Sequence, residues 1–269
     1  MVINQKQSRL LAVVNQKGGV GKTTTTINLG ASLAASGRRV LLVDMDPQGN
    51  LTSGVGQKGK STARGTIYQA LTGELPLEDA FPFVLPTTLE KMFLIPADRQ
   101  LTGAEIELVP LSRREERLRL LLASVRDSYD YILVDCPPSL GLLTLNGLVA
   151  ADAVLIPLHC EYFALEGLAE LVGTMRRVRA ALNPALDIDG VLLTMYDERT
   201  NLGQQVANDV RAFFKDKVFQ TVIPRNVRLG EAPSHGLPVL SYDPKSRGAE
   251  AYLALAREVI ARNTPALSE

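Results

Sequence analysis

Short apolar runs recur along the chain, each ending in a polar or glycine-rich turn, and segments of helical period separate them. The runs are Leu10 to Val14, Arg39 to Val43, Met92 to Ile95, Tyr131 to Val134, Ala153 to Leu158, Asp189 to Met195 and Val218 to Ile223. Between them, helices are predicted from Lys22 to about Ser36, Thr66 to Leu71, Ala164 to Ala181, about Gly203 to Phe214 and Arg247 to Arg262. Another follows Ser112-Arg-Arg-Glu115, a capping-box signature, with Leu118, Leu121, Leu122 and Val125 on one face. Its charges, Arg113 to Arg119, read as a solvated surface. Strand runs apolar on both faces and alternating with helices predict an α/β fold: a mostly parallel, doubly wound sheet with helices on both faces. Gly54 to Gly65 reads as a loop without assigned chemistry.

The first run leads into the most informative stretch, Asn15-Gln-Lys17-Gly18-Gly19-Val20-Gly21-Lys22-Thr23-Thr24. Glycines between a strand and a helix let backbone N–H groups converge on an anion, and the helix start aims its own free N–H groups at the same point. In a P-loop of this kind Lys22 reaches the β- and γ-phosphates and Thr23 binds Mg²⁺. Gln16 replaces the first glycine of the usual pattern and Lys17 follows it, the deviant Walker A form. From that position Lys17 reaches its own γ-phosphate poorly but can reach one across a face-to-face dimer.

Two further runs end in carboxylates, where ligands of open α/β sheets bind. Arg39 to Val43 closes on Asp44-Met-Asp46-Pro-Gln-Gly-Asn50; one acid would orient or deprotonate water and the other would hold a Mg²⁺-bound water. Tyr131 to Val134 closes on Asp135-Cys-Pro-Pro-Ser139, the Walker B pattern, with Asp135 delivered to the water shell of Mg²⁺.

Composition narrows the class. The chain has 269 residues, 46% hydrophobic, enough for one large core, and equal numbers of basic and acidic residues, 29 of each, so any nucleic-acid binding must be local. A polar segment 1–8, one domain over 9–262 and a polar segment 263–269 are expected. No run has the length of a membrane span and the start lacks a signal-like apolar region, so a cytoplasmic protein is expected. Cys136 and Cys160 lack C-x-x-C spacing and read as small core residues; His159 and His235 have no partnered ligand spacing.

Taken together, the loop with Lys17 and Lys22, Val43-Asp-Met-Asp-Pro-Gln-Gly-Asn50, Val134-Asp-Cys-Pro-Pro-Ser139, Glu161-Tyr-Phe-Ala-Leu-Glu-Gly167 and Val222-Ile-Pro-Arg-Asn-Val-Arg-Leu-Gly-Glu-Ala-Pro-Ser-His-Gly236 resemble the ParA/Soj chromosome- and plasmid-partitioning ATPases. The resemblance covers about Arg9 to Ile260. It implies a slow ATPase with ATP and Mg²⁺ as cofactors, in which ATP drives a sandwich homodimer and Lys17 contacts the partner's nucleotide. It further implies that Asp44 is needed for hydrolysis, that Thr23 and Asp135 serve Mg²⁺, and that Pro224 and Asn226 border the adenine. The implied dimer binds double-stranded DNA without sequence preference through Arg199, Arg225, Arg228 and Arg247, and a ParB/Spo0J-type protein stimulates hydrolysis and release, which implies a nucleoid-associated protein. Asp197, Glu198, Glu231 and Asp243 lie among those arginines, so charge alone does not establish the DNA face.

Two other readings stay open. One is a MinD-like membrane-surface positioning ATPase, although Arg247 to Arg262 and the residues after it lack a terminal basic amphipathic helix. The other is a metabolic P-loop enzyme that phosphorylates a small molecule. The short N-terminus makes operator binding through an added helix-turn-helix unexpected, and Cys136 lacks the context of an iron–sulfur ligand.

Overall fold

The computed structural model describes residues 8–75, 77, 79–161 and 164–263. In chain order the elements are β1 (Arg9–Val13), α1 (Lys22–Ala35), β2 (Val40–Asp44), α2 (Asn50–Gly54), α3 (Ile67–Thr72), β3 (Leu85–Pro86), β4 (Met92–Ile95), α4 (Leu101–Glu107), α5 (Arg117–Ala123), β5 (Tyr131–Asp135), α6 (Leu142–Ala150), β6 (Ala153–His159), α7 (Ala164–Ala181), β7 (Asp187–Thr194), α8 (Asn201–Phe214), α9 (Val227–Glu231), α10 (Val239–Tyr242) and α11 (Arg247–Arg262). The strands form one seven-stranded sheet in the order β3-β4-β2-β5-β1-β6-β7, parallel except for the short edge strand β3.

The alternation along each strand explains the two helical layers. In β1, Leu10 and Ala12 face a core built with α3 to α8, whereas Leu11 and Val13 face one built with α1, α2 and α9 to α11. In β5, Ile132 and Val134 face the first layer and Tyr131 and Leu133 the second. A period of two with apolar residues at every position gives a strand covered on both faces.

Register then places the chemistry. Asp44 pairs with Asp135 across β2 and β5, and Val13 pairs with Asp135 across β1 and β5. Three neighbouring strands thus deliver the glycine loop and both strand-end carboxylates to one edge.

Two local expectations are corrected. Ser112 does not form a capping box: Arg113 takes φ 53° and the helix begins only at Arg117, after Glu116. Arg113 and Arg119 pair with Glu116, but Arg117 is buried and donates to the carbonyls of Leu71 and Gly73, both at 2.7 Å, so it is not part of a solvated face.

Residues 218–223 are not a strand. Phe219 and Ile223 donate to Val191 and Leu193 of β7, but two of the three amides between them, Gln220 and Thr221, donate to the Glu258 carboxylate of α11 at 2.8 and 2.9 Å. A side chain has taken the donors that a regular ladder needs. The same segment depends on Gly190, where an added Cβ would lie 2.4 Å from the Phe219 ring. Gly190→Ala should therefore destabilise the protein by about 1–3 kcal/mol, read as a lower urea midpoint at unchanged slope.

Cys136 is buried in the core, as expected, and an added Cβ at Gly147 of α6 would lie 2.7 Å from its sulfur. Cys160 is only half-buried against the core. Tyr162 and Phe163, within the fourth quoted motif, lie outside the described residues, as do residues 1–7 and 264–269 of the two expected polar segments. Among the described residues no helix is long and apolar enough to cross a membrane.

Candidate nucleotide site

The glycine loop is built by its backbone. Asn15 fixes its start, donating to the Pro157 carbonyl at 2.7 Å and accepting from the Lys17 amide at 3.0 Å. Gly19 and Gly21 take φ 73° and 90°, values that favour glycine, and Gly21 leads into α1 without a side-chain cap. The first turn of α1 carries no acidic residue, so its free N–H groups and positive dipole end are available to an anion. Val20 is buried.

This loop forms one wall of a cleft of about 1060 Å³. Gly18, Gly19, Gly21, Lys22, Thr23 and Thr24 line it, with Asp46 beside them and Pro224, Arg225 and Asn226 opposite. Asn226 also caps α9 by accepting from the Arg228 amide at 2.9 Å.

Lys22 is 7% exposed, and its ammonium donates to the Lys17 carbonyl at 3.1 Å. Burial lowers its pKa against the opposing pull of Asp135. Lys17 points elsewhere and pairs with Glu161, which also accepts from His159 Nδ1 at 2.6 Å. Lys22 lines the cleft, and Lys17 is not among its lining residues.

The three carboxylates differ. Asp135 is fully buried and accepts from the hydroxyls of Thr23 at 2.7 Å and Thr26 at 3.2 Å. Burial, reinforced by the charge of Asp44, pushes its pKa up to about 8. Asp44, expected from the motif to serve hydrolysis, has no face on the cleft. It is fully buried, one oxygen accepting from the Thr52 amide and hydroxyl at 2.8 and 2.7 Å and the other from the Asp46 amide at 3.1 Å. Burial raises its pKa to about 6. Asp46 borders the cleft and accepts from the Gln48 amide at 2.9 Å. Asp44 therefore anchors the turn that presents Asp46.

The donor set fits a magnesium nucleotide. Glycine amides and a desolvated ammonium suit phosphate, and the Thr23 hydroxyl beside the Asp135 carboxylate supplies the hard oxygens Mg²⁺ prefers. Because Asp135 keeps its proton up to about pH 8, cation binding should release a proton below that value. Mg²⁺-dependent nucleotide affinity should fall as pH drops from 8 to 6, by at most about tenfold per pH unit. Calorimetry in two buffers of different ionisation enthalpy would count the proton.

The arginines expected at a DNA face are unequally available. Arg225 and Arg247 are exposed, and no ion pair involves either among the described residues. Arg199 is bound at both carboxylate oxygens by Asp197, at 2.8 and 2.7 Å, and Arg228 pairs with Glu231 and Asp243. Asn15, Thr26, Thr52, Thr194 and the Lys17–Glu161 pair were missed by sequence reasoning. Asn15, Thr26 and Thr52 lie beside the motifs and Glu161 begins one, whereas Thr194 had no such signal.

Fold and site together define a P-loop ATPase of the deviant Walker A class. The model of a family described as an AAA domain matches residues 8–188. Soj, the sporulation initiation inhibitor protein of Bacillus subtilis, is 58% identical over 94% of this chain and 98% of its own. ParA of Caulobacter vibrioides is also 58% identical, over 94% of each chain. The solved structure of cobyrinic acid a,c-diamide synthase from Mycobacterium smegmatis with bound ADP and magnesium is 38% identical, with TM-score 0.81 over 98% of this chain and 100% of its own. The Pyrococcus furiosus cell division ATPase MinD is 26% identical, with TM-score 0.77 over 95% of this chain and 99% of its own. The chain belongs to the ParA/Soj family of chromosome-partitioning ATPases.

Proposed function

We propose that the cleft binds ATP with Mg²⁺ and that nucleotide binding gates attachment to DNA. The observation that carries this reading is Arg225, which lines the nucleotide cleft and is also exposed. The wall of the nucleotide cleft and a candidate DNA-contacting cation thus share the short segment from Pro224 to Asn226.

In this reading the Gly18–Gly21 amides and Lys22 hold the phosphates. Thr23 and Asp135 hold Mg²⁺, which when bound neutralises charge developing on the phosphate oxygens. Asp46 orients the attacking water and accepts its proton. Pro224 and Asn226 border the adenine. Lys17 exchanges Glu161 for the nucleotide of a second copy in a sandwich dimer, which doubles the basic surface. A ParB/Spo0J-type partner then accelerates an intrinsically slow hydrolysis and releases the DNA, giving a nucleoid-associated cycle.

Retention on non-specific duplex DNA with ATP, ADP or no nucleotide tests the proposal, with Asp46→Ala used to arrest turnover. Retention should require ATP and fall linearly in log–log form with salt. Equal retention in all three states would overturn the reading, and ATP-dependent binding to liposomes instead would favour a membrane-surface ATPase.

The arginines should rank by their partners. Arg225→Ala should reduce the salt slope of a dimer by about two, one phosphate per protomer. Arg228→Ala should change it less, because Glu231 and Asp243 already neutralise that cation. An equal effect of the two substitutions in the same salt series would remove this ranking.

A further inference from the structure

Bonds outside the recognised motifs join the glycine loop to the arginine-bearing segments. Thr194, the last residue of β7, is buried, and its hydroxyl donates to the Val20 carbonyl at 2.8 Å. It lies against the Gly21 turn, where an added Cβ would be 3.8 Å from the Thr194 Cβ. The strand end therefore holds the crest of the loop.

Met195 follows with φ 49°, a left-handed conformation disfavoured for a residue with a long side chain, and it borders the cleft. Such a conformation persists where its surroundings fix it. Here Ile223 donates to the Leu193 carbonyl at 2.9 Å and accepts from the Tyr196 amide at 3.0 Å, pinning the chain on both sides of Met195. Tyr196 is bridged to Pro224, the neighbour of Arg225. Asp197, which binds Arg199, is held below the usual carboxylate range chiefly by Arg199 and also by the charge of Arg225. A continuous path thus runs from the Val20 carbonyl through Thr194 and Met195 to both arginines.

We propose that Thr194 is a positioning residue for coupling between nucleotide and DNA, with Met195 as the joint that transmits it. This rests on the reading that nucleotide gates DNA binding. When phosphate seats in the loop and moves the Val20 carbonyl, the Thr194 hydroxyl carries that movement into the left-handed turn. The turn sets the Arg199 segment against Arg225.

The test is a linkage measurement on the full chain. The affinity of a non-hydrolysable ATP analogue is measured with and without saturating duplex DNA, and the ratio is the coupling factor. Thr194→Val keeps the shape and loses the hydroxyl, whereas Thr194→Ser keeps the hydroxyl. Met195→Gly adopts φ 49° without strain, so its loss of coupling would not reflect misfolding.

Thr194→Val and Met195→Gly should each reduce the coupling factor by about fivefold or more, and Thr194→Ser should retain it. The same factors should appear in the DNA affinity measured with and without the analogue, because linkage is reciprocal. A merely structural role for Thr194 would weaken analogue binding equally with and without DNA. A Thr194→Val coupling factor equal to that of the parent would overturn the proposal. A parent protein with no coupling would instead overturn the reading of nucleotide-gated DNA binding on which it rests.

Discussion

Lys22→Met should bind ATP at least about 100-fold more weakly than the parent protein and turn it over only at background, because one charge-assisted contact to phosphate contributes about 1.5–3 kcal/mol and this ammonium has several available. The group is 7% exposed and its hydrogen bond is to the Lys17 carbonyl, so among the described residues it is held at the loop without a side-chain counter-ion bonded to it. Burial already disfavours the charge, as the lowered pKa records. Phosphate is the partner that would restore what burial removes. Methionine keeps the stem packed and loses only the charged end, so thermal stability without nucleotide should change little while binding collapses. Titration with a fluorescent ATP analogue decides the matter; affinity within threefold of the parent would remove Lys22 from the phosphate site.

The second large effect separates Asp44 from Asp46. Asp46→Ala should leave nucleotide affinity nearly intact and lower turnover by about 100-fold or more, the range for loss of a positioned general base. Asp44→Ala should act on folding. It orphans the Thr52 amide and hydroxyl and the Asp46 amide, each unsatisfied buried donor costing about 1–3 kcal/mol.

That loss is pH-dependent, with a definite sign. The folded pKa of Asp44 is raised to about 6, so the stability contributed by its protonated form is complete below the ordinary value of 3.8 and disappears as pH rises through 6. Asp44→Ala should therefore destabilise more at pH 5 than at pH 8, by about 1–2 kcal/mol. Urea titrations at the two pH values test this, and a destabilisation independent of pH would contradict the buried-acid assignment. Full turnover by Asp46→Ala would return the catalytic role to another group.

The phosphate loop was legible because its chemistry is carried by glycine backbone and a fixed lysine spacing, both visible in sequence. The ends of β2 and β5 were legible because doubly buried strands have no other place for a carboxylate. Which aspartate faces the cleft was not. Asp44 closes the strand and Asp46 lies beyond it, where strand alternation no longer decides direction and the hydrogen bonds of Thr52, distant in the motif, do. The run 218–223 has the composition of a strand, but the Glu258 carboxylate that takes its amides is 37 residues beyond Thr221. The four arginines and the acids among them were visible in the sequence, but which of them pair was not: Asp197 binds Arg199, Glu231 and Asp243 bind Arg228, and Arg225 and Arg247 stay exposed.

Glu258 has a bearing on how this chain behaves in crowded company. Beyond β7 the Phe219 and Ile223 amides bond to the strand and two of the three between them, Gln220 and Thr221, bond to Glu258, while the opposite edge is the two-residue β3, which contains Pro86. Among the described residues neither margin of the sheet offers a long, regular row of free donors to a foreign strand, the template from which edge-to-edge aggregation grows. Sheet margins of this kind do not encourage neighbouring copies of the chain to fuse through their edges.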